Sequence, residues 1–218
     1  MAALFGPLAI YWSFSMMTLP VWLHHEMRHW STAPIVALVL LFGLASSDLI
    51  TPLSLTREGL AAAQWWRLFT SHIVHLNFAH ALLNASGFLL VSLAFRPWVS
   101  AAREFVVVLV AMPGVSLGVA CLNPEIGLYA GLSGVVHALF AHHLVLAARH
   151  SPRLAGVWLA ALAVKVFHEQ YRAAPDRAME QLIGGSVAVD AHLYGALIGL
   201  LLGLGALCLQ WLRANSQP

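Results

Sequence analysis

A serine between glycines, in Gly131-Leu132-Ser133-Gly134, lies inside one apolar stretch of this chain, and His192 lies inside another. Polar side chains at membrane depth are expensive and are usually kept for function. A serine hydroxyl becomes a useful nucleophile only when a neighbouring base takes its proton. Several histidines could serve, and two stand out. His137 stands four residues after Ser133, where side chains on one helix touch. His192 belongs to another segment, and packing must bring it in. Gly195, Gly199 and Gly203 recur every four residues after it, a stripe that lets a neighbouring backbone approach. Ala130, Gly131, Gly134 and Ala138 make the surroundings of Ser133 equally small. His192 is therefore favoured as the base, with His137 as a supporting or competing residue. On the glycines alone, plain helix packing explains both stripes equally well.

The segment running from His72 to Asn84 shifts that balance. His80 and Asn84 are four residues apart and share a helix face. A tetrahedral acyl intermediate needs donors aimed at its oxyanion, each worth about 3–4 kcal/mol when removed singly. An Asn amide, a His N–H and the backbone N–H of Ser133 would supply them. A metal centre fits less well. His72-x-x-His75-x-x-x-x-His80 is not the His-Glu-x-x-His spacing of zinc proteases, and this segment holds no acid. No metal and no cofactor is expected. Asp190, two residues before His192, points to another side of a helix and reads as an outer-rim acid. His168, Glu169 and Arg172 read as a solvated outer loop, His142 and His143 as interfacial residues, and Arg96 and Arg103 as markers of the inner interface.

These residues need a scaffold, and composition names its class. Of 218 residues 60% are hydrophobic and 9% charged, against about 25% charged in soluble domains. With a mean hydropathy of +0.79, the chain reads as an all-α, multi-pass membrane protein. A net charge of +2 gives no reason to expect a nucleic-acid partner. Apolar runs of about 20 residues predict six spanning helices, near 33–50, 78–96, 103–122, 127–148, 153–168 and 186–212. A further apolar stretch, 3–23, is broken by Pro7 and Pro20. It reads as an extra helix, a re-entrant segment or the result of an early start site. It lacks the basic start and small-residue cleavage site of a signal peptide. The organisation expected is an N-terminal apolar extension (1–26), a six-helix domain (27–213) and a short cytoplasmic tail (214–218). Six of the eleven Lys and Arg residues fall on the side taken as inner, which includes Arg213. Ser133 and His192 then share a depth in the outer leaflet. Cys121 and Cys208 fall in opposite leaflets and should not pair. No inverted repeat or matched pair of broken helices points to a transporter.

The set of motifs resembles the rhomboid intramembrane serine proteases over roughly residues 33–205. It comprises Trp66-Arg67, His80-x-x-x-Asn84, Gly131-x-Ser133-Gly134 and His192-x-x-Gly195-x-x-x-Gly199, in that order. The resemblance implies a six-helix bundle, a Ser133–His192 dyad with no acidic third member, and an oxyanion site of His80, Asn84 and the Ser133 amide. It also implies a first loop partly embedded in the outer leaflet, with the fifth span and residues 169–185 as gate and cap. Many rhomboids carry tyrosine four residues after the nucleophile; here the position is His137. That change, the compact size and the Gly-Leu-Ser-Gly-Val-Val-His string resemble the rhombosortase branch. Rhombosortases imply a bacterial inner membrane and substrates tethered by one C-terminal helix after a Gly-Gly motif. The alternative is a non-catalytic rhomboid-like protein that binds transmembrane helices.

Overall fold

The structure, a computed structural model, describes residues 33–44, 46–171 and 176–216. The extension 1–26 and the stretch 3–23 lie outside them. The described residues form helices α1 (Ala33–Leu44), α2 (Ser46–Leu53), α3 (Arg57–Ala61), α4 (Arg67–Thr70) and α5 (Phe78–Phe95). They continue as α6 (Ala101–Leu122), α7 (Ser133–Ala147), α8 (Pro152–Tyr171), α9 (Arg177–Ile183) and α10 (Val189–Asn215). The protein is all-helical over these residues, apart from one isolated bridge between Leu55 and Tyr129.

Among the described residues three helices, α5, α6 and α10, are long and apolar enough to cross a membrane. Two more, Pro34–Leu44 and Ser133–Ala147, are apolar but shorter. Helix α8 has 20 residues but carries Arg153, Lys165 and Glu169. Local chemistry sets several of the starts. The Asn77 side chain caps α5 by accepting from the His80 N–H at 2.8 Å, and Asp176 caps α9 by accepting from the Met179 N–H at 3.1 Å.

Helices α7 and α10 make the most intimate pair of the bundle. A methyl group added at Gly195 would fall on the Gly134 carbonyl oxygen, and one at Gly199 on the Ala138 carbonyl oxygen. At Gly203 it would meet the Val145 side chain at 2.8 Å. The glycine stripe is therefore the contact itself. Leu132, Val135, Ala138 and Leu139 of this region pack with Phe88, Val107 and Ala111 from α5 and α6 into one buried core.

Three differences from the sequence expectation matter. The fourth element begins at Ser133, not at 127, because residues 129–131 are tied to other loops. Its 15 residues rise only about 22 Å, against a hydrocarbon core of about 30 Å. The fifth extends to Tyr171, which places His168 and Glu169 on its last turn and not in a loop. At the other end of the bundle, His142 and His143 are only 1% and 0% exposed instead of interfacial. They sit inside because Glu104 is buried there. Ser92 Oγ donates to Glu104 Oε1 at 2.8 Å, and His143 Nε2 lies 3.6 Å from the same carboxylate.

Candidate active site

The backbone ahead of Ser133 is fixed from three directions. Leu55 and Tyr129 exchange backbone hydrogen bonds of 2.9 Å, and the Gly131 N–H donates to the Ser71 carbonyl at 2.8 Å. The Tyr129 hydroxyl donates to the Gly131 carbonyl at 3.1 Å. Gly131 itself has φ +121°, a conformation that side chains resist. A Cβ there would also lie 2.8 Å from His80 Cε1 and Nε2 and 3.3 Å from Asn84 Nδ2. Glycine is thus required twice, by torsion and by space. The turn delivers Ser133 as the first residue of α7, where its N–H has no acceptor within the helix.

His192, in the first turn of α10, faces that serine. Its Nε2 lies 3.0 Å from Ser133 Oγ. Its Nδ1 lies 3.0 Å from Glu169 Oε2, and Lys165 Nζ donates to the other carboxylate oxygen at 2.7 Å. His137 stacks on His192, with ring centroids 4.2 Å apart and planes 15° apart. The His137 Nδ1 donates to the Ser133 carbonyl at 2.8 Å, so this ring braces the helix and the neighbouring imidazole. His80 and Asn84 are each 8% exposed, and His80 Nδ1 and Asn84 Nδ2 are buried without a hydrogen-bond partner. The structure thus brings Ser133, His192, His137, His80, Asn84 and Gly131 to one end of the bundle.

Glu169 is the residue that sequence reasoning missed. The sequence reads it as part of a solvated loop, and the resemblance implies no acid beside His192. The contact joins two helices whose packing the sequence does not display. The Lys165-x-x-x-Glu169 spacing was the available signal, since an i,i+4 ion pair places a carboxylate on a defined helix face.

His137, Glu169 and His192 each offer a ligand atom, all within 4.8 Å of one another. Imidazole lone pairs lie in the ring plane. Two rings stacked nearly parallel cannot aim both at one ion, so the trio is organised for hydrogen bonding. The His72 and His75 rings are employed elsewhere. His72 Nε2 bonds the Met112 carbonyl at 2.8 Å, and His75 packs edge-on against His80 at 4.9 Å.

The first loop is anchored by its arginine. Arg67, 8% exposed, reaches the carbonyls of Thr51 at 2.9 Å and Ser54 at 2.5 Å and the Gln64 side chain at 2.6 Å. Gly59 leaves room for this, since a Cβ there would lie 2.5 Å from the Arg67 Nε. Trp65, Trp66 and Phe69 remain exposed on the outside of the loop. Helix α9 is tied down by the Asn77 Nδ2, which donates to the Leu182 carbonyl at 3.0 Å.

Burial holds His72, in the loop before α5, down at about 4 from an ordinary 6.5, and burial together with nearby His80 holds His75 at about 3. Above pH 6.5 both are neutral in the folded and unfolded chain and cost nothing. As pH falls from 6.5 toward 4, the unfolded chain binds protons that the fold refuses, so stability is lost. The melting temperature in detergent should therefore fall between pH 7 and pH 5. The fall should shrink in His72→Asn, and an equal fall in that variant would contradict this account.

Comparison with known proteins agrees with this architecture. Over 162 residues, covering 70% of this chain and 71% of the relative, the sequence is 27% identical to "Putative rhomboid protease YdcA" of Bacillus subtilis (strain 168). Residues 62–208 match the Rhomboid domain, a stretch that holds His80, Asn84, Gly131, Ser133, His137, Glu169 and His192. An integral membrane helix bundle with this match, over well more than half of its length, belongs to the rhomboid family.

Proposed function

We propose that this protein is an intramembrane serine endopeptidase whose nucleophile is Ser133 and whose general base is His192. The observation that carries the reading is the 3.0 Å contact between Ser133 Oγ and His192 Nε2, with the unpartnered Asn84 amide close by. Ser133 Oγ attacks the scissile carbonyl as its proton passes to His192 Nε2. Negative charge gathers on the former carbonyl oxygen, where Asn84 Nδ2, His80 and the Ser133 N–H supply donors. Collapse of the adduct breaks the C–N bond, and His192 returns the proton to the leaving amine. Water, or an amine acceptor, then takes the acyl group from Ser133. His137 and Gly131 support the site through the contacts described above.

The short α7 suits this chemistry. Its free N–H groups lie below the membrane surface, and backbone in that state is tolerated only where it lines protein or water. Substrate reaches the site from the lipid side. An apolar cavity of about 410 Å³ between α5 and α8 carries His137 and Lys165 at one end and Trp158 lower down. A second of about 510 Å³ continues it to Trp98 and Ser151. A six-span bundle in a bacterial inner membrane, with Ser133 and His192 toward the outer face, is the topology that goes with this reading. The substrates are membrane-anchored proteins with a single C-terminal helix. The rhombosortase-like string Gly-Leu-Ser-Gly-Val-Val-His favours anchors that open with Gly-Gly.

Co-expression with such an anchored protein should release a product that is absent with Ser133→Ala. A serine-directed fluorophosphonate should label the wild type and neither Ser133→Ala nor His192→Ala. Well-folded protein that is never labelled would sink the enzyme and leave the helix-binding alternative. Asn84→Ala should lower kcat by about 10²–10³-fold with little change in KM, as for other single oxyanion donors. A change confined to KM would move Asn84 from the oxyanion site to substrate binding.

A further inference from the structure

We propose that Glu169 is a positioning residue that orients His192, so that the site works as a Ser133–His192–Glu169 relay assembled from three helices. The inference rests on the serine-protease reading and adds the group that decides which tautomer the base adopts. Ser133 comes from α7, His192 from α10 and Glu169 from the last turn of α8.

A carboxylate only accepts hydrogen bonds, so a partner at 3.0 Å requires the proton to sit on His192 Nδ1. Nε2 is then left with its lone pair toward Ser133 Oγ at 3.0 Å, the form a base needs. When the serine proton moves to Nε2, the ring becomes a cation with Glu169 already beside it. The carboxylate keeps the charge and takes no proton. The second oxygen of Glu169 is held by Lys165 Nζ at 2.7 Å, which fixes the carboxylate at both ends. His137, stacked on one face of the ring, stops it from tipping. His192 is thus restrained along its plane by Glu169 and across its plane by His137.

The arrangement has a mechanical consequence. Helix α8 also walls the cavity between α5 and α8, through Trp158, Leu162 and Lys165. Moving α8 away from α10 breaks the Glu169–His192 contact, so the base is correctly oriented only while α8 is docked.

The test uses the full-length protein in detergent or liposomes and the rate of fluorophosphonate labelling of Ser133. Labelling needs an activated serine but no transmembrane substrate, so it separates base orientation from substrate docking. In Glu169→Gln the amide can present N–H to Nδ1 and favours the wrong tautomer. Labelling and kcat should both fall by about 10²–10⁴-fold, with KM and melting temperature unchanged. Glu169→Asp, which keeps a carboxylate on a shorter stem, should fall between wild type and Glu169→Gln. Wild-type labelling rates in Glu169→Gln, or an aspartate variant no faster than the glutamine variant, would overturn the proposal. A wild type that is not labelled at all would instead defeat the serine-protease reading on which it rests.

Discussion

Ser133→Ala is expected to lower peptide-bond cleavage by roughly 10⁶-fold, the scale seen when a serine protease loses its nucleophile, and to leave the melting temperature where it was. The two halves of that expectation come from different parts of the structure. The hydroxyl makes one side-chain contact, to His192 Nε2, while the fold around it is held by backbone bonds of Tyr129 and Gly131 and by the α7–α10 seam. Alanine keeps the helix start and loses only the oxygen. The remaining donors, Asn84 and His80, can polarise a carbonyl but have nothing to deliver to it. His192→Ala should fall to a similar floor, because members of one catalytic unit do not contribute additively. His137→Ala should cost less, since that ring is bonded to the Ser133 carbonyl and not to its hydroxyl. The measurement is product formation from an anchored substrate in liposomes, alongside thermal unfolding of each variant. Cleavage that survives in Ser133→Ala would remove the mechanism outright. Loss confined to His137→Ala would transfer the role of base to that residue.

Much of this site was legible because its parts are unusual one by one. A serine in an apolar run, a histidine at the head of a glycine stripe and a His-Asn pair at helical spacing each stand out against lipid-facing sequence. Their order along the chain, with Trp66-Arg67 ahead of them, added the rest. What stayed hidden were relations between segments. The bridge from Leu55 to Tyr129 is two backbone bonds and leaves no mark in residue type, so the fourth element read as starting at 127 instead of Ser133. Glu169 looked like a surface acid because acids near helix ends usually are. Its partner lies 23 residues on, in another helix. His142 and His143 read as interfacial for the same reason, whereas His143 lies beside the buried Glu104 of α6. Periodicity reports which face of a helix is apolar, and is silent on which polar residue of a second helix will meet it.

Gly195→Ala is expected to damage folding and catalysis together, and the pair of effects distinguishes it from every substitution of the proposed catalytic groups. The added methyl would coincide with the Gly134 carbonyl oxygen, a backbone atom that no rotamer change can move aside. The helices must separate or shift along their seam. Overpacking of this kind costs about 3 kcal/mol or somewhat less, and it should appear as a lower melting temperature in detergent. Ser133 precedes Gly134 by one residue, and His192 precedes Gly195 by less than one turn. Any separation there lengthens the 3.0 Å contact between hydroxyl and imidazole. A displacement of about 1 Å at a reacting pair costs about 10²-fold in rate, so activity measured well below the melting temperature should already be reduced by that order. Gly199→Val, which would strike the Ala138 carbonyl one turn further in, should destabilise more and reach the site less directly. Gly205→Ala is the matched control: a Cβ there has nothing within 4 Å, and both stability and rate should stay at wild-type values. If Gly195→Ala behaved like Gly205→Ala, the α7–α10 seam would not be what holds nucleophile and base together.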